Sequence, residues 1–267
     1  MRRPIRVALS GSGFRLGAHL GALQAIEDAG YEVIEISGTS GGSIVASLYA
    51  SGMSLADLKS LCLSLDWSPM MSFSPWTLIT KRAYCSGNAL LDFLTEQTGA
   101  KKFSDVPVAL KVVASDLLTE REFEFGKAST PDAPIALAAR ASASIPLVFS
   151  PVAYQDAMLV DGGCTDNIPV SNLTVDEVPR VGIFLESGDS PLKSGRYGLA
   201  ALAPRIIDLL LASNEASHVE LDTKNGATIV RVPTGYASSL DLNMPTAIRQ
   251  RLIDDGYAAT KAALSAM

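Results

Sequence analysis

The chain has 267 residues and a mass of 28.1 kDa, enough to bury the core of one large α/β domain or of two small ones. Its 48% hydrophobic and 19% charged residues are typical of a globular protein and exclude wholesale disorder. The formal net charge of −6 argues against nucleic acid as a partner and against broad electrostatic attraction to anionic membranes.

The cysteines and the N-terminus give no signal for a disulfide framework, a metal site or export. Cys62, Cys85 and Cys164 lie far apart and form no C-x-x-C pair, so we expect no metal and no other cofactor. The chain enters a strand-like segment directly after Arg3, without an apolar signal region or a run long enough to span a membrane. We therefore expect a cytoplasmic protein, with export by another route left open.

Four alternating elements open the chain. Residues 4–10 predict a buried strand, and residues 16–29 predict a helix with one thin side of small residues, suited to lie close to a sheet. Residues 31–36 predict a second strand, and a second helix ends at Gly52. A β-α-β-α opening is typical of an α/β fold with a mostly parallel central sheet flanked by helices.

Later elements extend this pattern without a linker or a repeat, so we expect a single domain over residues 1–267. Ser54 is suited to cap a helix that ends near Leu65. Further helices are predicted at 88–98, 134–143, 199–221 and 245–264, strands at 108–115, 122–125, 157–160, 181–185 and 228–232, and an extended segment at 145–149.

The segment from about residue 66 to 85 fits no regular period, and we interpret it as an excursion from the sheet. It contains both tryptophans, Trp67 and Trp76, together with methionines and prolines and few charges. This composition suits substrate binding in an acyl-chain pocket, or transient contact with a membrane interface. A loop folded over its own small core explains it equally well.

The stretch between the second strand and the second helix carries the strongest chemical signal. Gly38-Thr39-Ser40-Gly41-Gly42 is a G-x-S-x-G motif in strand–turn–helix context, which holds the serine at the tip of a sharp turn. The following helix would point its unpaired N–H groups toward that hydroxyl, where they favour negative charge. Ser40 is therefore the candidate nucleophile, and a glycine-rich connection with a capping serine is the plainer interpretation.

A serine nucleophile also needs donors for the oxyanion that it creates. The loop after the first strand should emerge at the same sheet edge, and Gly11, Ser12 and Gly13 can turn consecutive N–H groups inward, with Gly41 joining them. A dinucleotide loop is the competing interpretation, but its fingerprint requires glycine where Leu16 stands.

The general base is less obvious, because both histidines fall inside predicted helices. His19 borders the apolar stripe of the first helix and His218 lies late in the chain, so packing roles are the default for both. Asp161 is the better candidate, because it ends a short apolar strand before Gly162-Gly163, although Asp-Gly-Gly is often only a turn.

At this point the chain resembles the patatin-like phospholipase family. SGSGFRLGAHLGAL and GTSGGSIVA are similar to its glycine-rich loop and nucleophile elbow, and ARASASIPLVFSPV and LVDGGCTDNIPV are similar to the segments around its aspartate. The resemblance covers about residues 5–170. It departs where Ser12 replaces the middle glycine of the loop and Leu16 stands in place of a glycine, but neither change removes a backbone N–H.

The resemblance implies a single patatin-like α/β domain that hydrolyses lipid acyl esters. Ser40 and Asp161 would form a dyad without histidine, Gly11, Ser12 and Gly13 would form the oxyanion hole, and Arg15 would lie beside it. Two alternatives stay open from the residues alone: an α/β-hydrolase with a Ser40-Asp161-His218 triad, and a lipid-binding module without activity. The oligomeric state has no sequence signal.

Overall fold

The computed structural model describes residues 2–71, 85–186, 195 and 215–267, and the side chains of all of these except residues 215–218. The strands in these ranges are β1 (Arg3–Leu9), β2 (Tyr31–Thr39), β3 (Ala109–Asp116), β4 (Arg121–Gly126), β5 (Val152–Tyr154), β6 (Ala157–Asp161), β7 (Arg180–Glu186) and β8 (Thr228–Pro233). The α-helices are α1 (Gly17–Asp28), α2 (Gly41–Ala50), α3 (Leu55–Ser64), α4 (Asn88–Gln97), α5 (Ile135–Ser142), α6 (Glu215–Lys224) and α7 (Thr246–Ser265).

All eight strands form one mixed sheet. Five of them, in the order β3-β2-β1-β7-β8, are mutually parallel, whereas β4, β6 and β5 join on the β3 side in antiparallel pairs. The central strands β1, β2, β3 and β7 are buried along most of their length, because helices cover both faces of such a sheet. This confirms the expected α/β fold with a mostly parallel central sheet.

Alternation along β1 divides the core between the two faces of the sheet. Val7 and Leu9 belong to the large apolar cluster that also contains side chains of α1, α2, α3 and α5. Ala8 points to the other face and packs with a smaller cluster that includes Ile168, Phe184 and Val219 of α6. The sheet is therefore the middle of three layers.

The thin side of α1 contacts a helix rather than the sheet, which corrects the expectation from sequence. A Cβ atom at Gly21 would lie 1.9 Å from the carbonyl oxygen of Ile253 in α7, so only glycine permits this approach. The wide side of α1, with Leu20, Leu23 and Ile26, is the part that enters the main core.

Most predicted elements are confirmed within one or two residues, including the cap of α3, where the Ser54 hydroxyl accepts a hydrogen bond from the Asp57 amide. The extended segment predicted at 145–149 is wrong. The Val148 amide donates to the Ile145 carbonyl, and Leu147 has a φ of 70° after Pro146, as in a type II turn. Strand β5 was not predicted, since three residues are too few for a period to show.

Candidate active site

The pairing of β3 explains how Ser40 and Asp161 meet. One edge of β3 is occupied by β4 over Lys111–Asp116, so β2 and β6 share the other edge. Strand β2 runs up that edge and ends at Thr39 opposite Val113, whereas β6 runs down it and ends at Asp161 opposite Ala114. The carboxyl ends of β2 and β6 therefore face each other, with Ser40 in the gap between them.

Ser40 occupies a strained backbone conformation, with φ 51° and ψ −125°. A residue other than glycine rarely adopts a positive φ, and such backbone strain persists only where the surroundings enforce it. Here the motif glycines allow close packing: a Cβ at Gly38 would lie 2.7 Å from the Gly42 carbonyl oxygen, and one at Gly42 would lie 2.4 Å from the Ser10 carbonyl oxygen. The geometry is that of a nucleophile elbow.

The Ser40 hydroxyl donates a hydrogen bond to Asp161, with 2.7 Å between Oγ and Oδ2. The second carboxylate oxygen, Oδ1, accepts a hydrogen bond from the Gly163 amide at 2.9 Å. Asp161 is fully buried and Ser40 is 4% exposed. The structure thus brings together the two side chains that the sequence singled out.

Burial raises the pKa of Asp161 from its ordinary 3.8 to about 6, because the ionised carboxylate loses its hydration. The hydrogen bonds from Ser40 and Gly163 act in the opposite direction by stabilising the charged form, and they offset only part of the effect. A carboxylate with this pKa is ionised at neutral pH yet more basic than an exposed aspartate, as a general base requires.

Ser142 holds the backbone of Ser40 in place by hydrogen bonding, and the sequence did not single it out. Its hydroxyl accepts a hydrogen bond from the Ser40 amide at 2.8 Å and donates one to the Val113 carbonyl at 2.5 Å. The Ser142 hydroxyl therefore connects α5 to the candidate nucleophile Ser40 and to β3. A buried serine at the end of an alanine-rich helix was the only available signal.

The loop after β1 passes directly beside the nucleophile: a Cβ at Gly11 would lie 3.6 Å from that of Ser40. The Gly11 amide donates to the Asn167 carbonyl at 2.9 Å, so it has a partner outside the site. The amides of Ser12 and Gly13 donate to no acceptor in the described ranges. Gly41 is the first residue of α2, where the helix offers its amide no acceptor.

Arg15 is buried and contacts two distant parts of the chain. Its Nε donates to the Ser12 carbonyl at 3.1 Å and its Nη1 donates to Oγ1 of Thr234 at 3.0 Å, with the residue 6% exposed. These contacts connect the loop to the residue after β8, and the expected substrate-binding role of Arg15 stays a prediction.

His19 is a packed helix residue, as expected. It is fully buried, and its Nε2 lies 2.8 Å from the Ser10 carbonyl oxygen. Burial lowers the pKa of His19 to about 3, so the imidazole is neutral and holds the start of the loop. His218 lies in α6, and its side chain falls outside the described part of the chain, as does the whole of Trp76.

An apolar cleft opens at Ser40 and encloses about 450 Å³, including space continuous with solvent. Apart from the Ser40 hydroxyl and the indole of Trp67, its walls are hydrocarbon, sulfur or glycine backbone. The lining side chains come from the loop after β1, from α2, from the segment after α3, from α4 and from the turn after α5, among them Phe14, Leu16, Ile44, Trp67, Met70, Leu90 and Phe149. Trp67 is thus beside the candidate nucleophile.

Within the described ranges, no group of three or more histidine, cysteine or acidic side chains lies close enough together to hold a metal ion. The helices of the same ranges include none with both the length and the apolar character needed to cross a membrane.

Two solved structures share this fold. VipD from Legionella pneumophila superimposes with a TM-score of 0.66 at 17% identity, over 99% of this chain and 67% of VipD. The type III effector ExoU of Pseudomonas aeruginosa superimposes with a TM-score of 0.57 at 16% identity, over 98% of this chain and 53% of ExoU.

Relatives by sequence come from a virus and from bacteria. An uncharacterised protein of Acanthamoeba polyphaga mimivirus is 28% identical over 96% of this chain and 92% of its own length. An uncharacterised NTE family protein of Mycobacterium tuberculosis is also 28% identical, over 62% of this chain and 44% of its own length. The sequence profile described as Patatin-like phospholipase matches residues 7–174, which is more than half of the 267 residues. The chain therefore belongs to the patatin-like phospholipase family.

Proposed function

We propose that the protein is a lipid acyl hydrolase that cleaves carboxylic esters with a Ser40–Asp161 dyad. The observation that carries this proposal is the direct 2.7 Å hydrogen bond between the Ser40 hydroxyl and a fully buried carboxylate, at the tip of a strained elbow. Backbone strain at Ser40 and a raised pKa at the adjoining Asp161 are features of reactive sites. Family membership supports the same reaction class.

In the proposed reaction, Oγ of Ser40 attacks the ester carbonyl carbon while its proton passes to Oδ2 of Asp161. The tetrahedral intermediate collapses when the C–O bond of the leaving alcohol breaks, and Asp161 returns the proton to that alcohol. A water molecule, deprotonated by Asp161, then attacks the acyl-enzyme. The fatty acid leaves and Ser40 regains its proton.

The oxyanion hole that we propose consists of the amides of Ser12, Gly13 and Gly41. Each lies in a segment that contacts the elbow, and a Cβ at Gly41 would lie 2.3 Å from Oγ of Ser12 and 2.4 Å from the Gly13 carbonyl oxygen. Unused amides beside a nucleophile stabilise the negative charge of the tetrahedral intermediate. Gly11 is excluded from this set, because its amide donates to Asn167.

The walls of the cleft favour an acyl chain over a charged headgroup. Among the described residues that line it, no side chain is ionisable in the neutral pH range, so a headgroup buried there would lose its hydration without compensation. Hydrocarbon gains about 0.8 kcal/mol per buried methylene in such surroundings. The acyl part of a lipid therefore belongs in this cleft, with the leaving group toward solvent.

Direct contact between Ser40 and Asp161 also supports a dyad over the Ser40-Asp161-His218 triad. In a triad the imidazole stands between the serine and the acid, and the 2.7 Å separation leaves no room for one. A binding module without activity would have no use for a buried carboxylate with a raised pKa at an elbow.

The test is a panel of phospholipids and neutral glycerides incubated with the wild type and with Ser40→Ala, with the released fatty acids measured by mass spectrometry. Ser47→Ala is the matched control, since Ser47 lies on the same helix, is fully buried and has a hydroxyl without a partner in the described ranges. We expect Ser40→Ala to lose turnover by a factor on the order of 10⁴ or more, and Ser47→Ala to keep it.

A fluorophosphonate probe gives an independent readout, because it forms a covalent adduct with an activated serine. We expect labelling at Ser40 in the wild type and in Ser47→Ala. Fatty acid release that persists in Ser40→Ala, or a wild type that neither labels nor hydrolyses any ester, would refute the proposal.

A further inference from the structure

A second apolar cavity lies behind the cleft at Ser40. It encloses about 310 Å³, including space continuous with solvent, and is lined by helices α1, α2 and α3 and by one ring of α4. Its lining side chains are Leu16, Leu20, Ile44, Val45, Leu48, Leu58, Leu61, Cys62, Leu65, Trp67 and Phe93. Among these described residues, the Cys62 thiol is the one ionisable group, and burial raises its pKa to about 11.

Three residues line both cavities, namely Leu16, Ile44 and Trp67. They therefore form the partition between the cleft at the nucleophile and the cavity behind it. Leu16 precedes the first residue of α1 and Ile44 lies in the first turns of α2, so both belong to segments that position the catalytic loop and the elbow. Trp67 follows α3 and belongs to neither of these two segments.

The indole of Trp67 is held by one aromatic ring from each side of the partition. Its centroid lies 5.3 Å from that of Phe14, which lines the cleft at Ser40, and 6.2 Å from that of Phe93, which lines the second cavity. Such tilted and edge-on pairs fix a ring in place. Trp67 is 6% exposed, so its indole is a buried part of the partition.

We propose that Trp67 sets the acyl-chain length that the enzyme accepts, by ending the acyl cleft in front of the second cavity. This inference rests on the proposed function of Ser40. An acyl chain attached at Ser40 extends through the first cleft and stops at the indole. Removing the indole joins the two apolar spaces, so that longer chains gain further buried methylenes, each worth about fourfold in binding.

The experiment compares kcat/KM for p-nitrophenyl esters graded in length from acetate to palmitate, each below its micellar concentration. In the wild type we expect kcat/KM to rise with chain length and then to level off or fall. In Trp67→Ala we expect the maximum to move to longer chains, with the palmitate-to-butyrate ratio raised at least about tenfold. An unshifted maximum would overturn the inference.

Leu58→Ala is the matched control. Leu58 is buried on α3 and lines only the second cavity, so its truncation enlarges that cavity and leaves the partition closed. We expect the wild-type length profile in this variant. A shift toward longer chains in Leu58→Ala would show that the chain already passes Trp67, and would also overturn the inference.

Trp67→Leu covers the case in which Trp67→Ala does not fold, since it retains an apolar side chain and still thins the partition. Alkyl fluorophosphonates with short and long chains provide a second readout, the rate of Ser40 labelling, which needs no turnover. Labelling of Ser40 with an unchanged length preference in Trp67→Leu would reject the role of Trp67 alone. Absence of labelling and of ester turnover in the wild type would reject the proposed function as well.

Discussion

Asp161 and Glu35 are two buried carboxylates of the same sheet, and the chain surrounds them differently. Glu35, in β2, is 4% exposed and forms ion pairs with Arg6 at 2.6 Å and with Lys111 at 3.2 Å. It also accepts hydrogen bonds from the amide and the hydroxyl of Thr174. These contacts join three other segments to β2, namely β1, β3 and the segment at Thr174, so Glu35 connects parts of the fold.

Asp161, at the opposite end of the sheet, receives only neutral donors. Its oxygens accept hydrogen bonds from the Ser40 hydroxyl and the Gly163 amide, and no cationic side chain in the described ranges forms an ion pair with it. Arg140, also buried and on the neighbouring helix α5, directs its guanidinium to Ser86, Gly87, Ser144 and Ser150 instead.

The difference lies in the partners of the two acids. Glu35 has two cationic partners, so its contacts are those of an acid that holds segments of the fold together. Asp161 has no such partner in the described ranges, and burial raises its pKa, so its charged form destabilises the fold. The same raised pKa is what the proposed role of Asp161 as a general base requires.

The largest expected effect is that of Asp161→Asn on turnover. The amide keeps the shape of the side chain but cannot accept the proton of Ser40, so we expect kcat to fall by a factor on the order of 10⁴. Steady-state kinetics on a short-chain ester measures it. Near-normal turnover in this variant would remove Asp161 from the mechanism and erase its contrast with Glu35.

The same substitution should stabilise the protein at neutral pH. The pKa of Asp161 is raised in the folded state from 3.8 to about 6, so the native state binds the proton more tightly and loses stability as pH rises from about 4 to 6. Asn carries no charge, so the free energy of unfolding at pH 7 should be higher in Asp161→Asn by up to about 3 kcal/mol. Below pH 4 the wild type and Asp161→Asn should have similar free energies of unfolding. Urea unfolding at both pH values measures the difference.

The next largest effect is expected for Glu35→Gln, which should lower the free energy of unfolding and leave kcat/KM unchanged. Removal of the negative charge leaves Lys111 and one side of Arg6 without their acid, and breaking a buried pair costs about 3 kcal/mol. Urea unfolding at pH 7 measures the loss, and kcat/KM on the same ester serves as the control. A variant as stable as the wild type would show that the pairing of Glu35 has no structural value.

The sequence was sufficient to single out Ser40 and Asp161 as candidates, because each lies at the end of an apolar strand and precedes glycine. It could not show that β6 is antiparallel to β3 and approaches β2 end to end, because strand direction depends on pairing across distant segments. That pairing is what brings the two side chains to 2.7 Å.

Details of the loop after β1 could not be predicted, because they depend on partners far along the chain. The Gly11 amide donates to Asn167, and Arg15 turns toward Thr234, both more than 150 residues away. The sequence predicted an oxyanion hole in this loop, but only the folded structure shows which amides remain unused. Ser142 was missed for the same reason, since its hydroxyl acts on Ser40 across the fold.

The smallest expected effect is in the pH dependence of kcat/KM, and it tests which group is the base. A base must be ionised to accept a proton, so kcat/KM should be constant above the pKa of Asp161, about 6, and fall about tenfold per pH unit below it. Two nearby groups do not titrate in this range: burial lowers the pKa of His19 to about 3 and raises that of the Cys164 thiol to about 12.

His218→Ala gives the control for that pH profile, since the triad and the dyad differ in its outcome. If Asp161 alone is the base, the variant should keep both its turnover and an acid limb near pH 6. If the imidazole is the base, turnover should collapse and the limb should vanish with it. An acid limb that survives in His218→Ala would therefore assign it to the unpaired buried carboxylate, whereas Glu35→Gln should leave the limb where it is in the wild type.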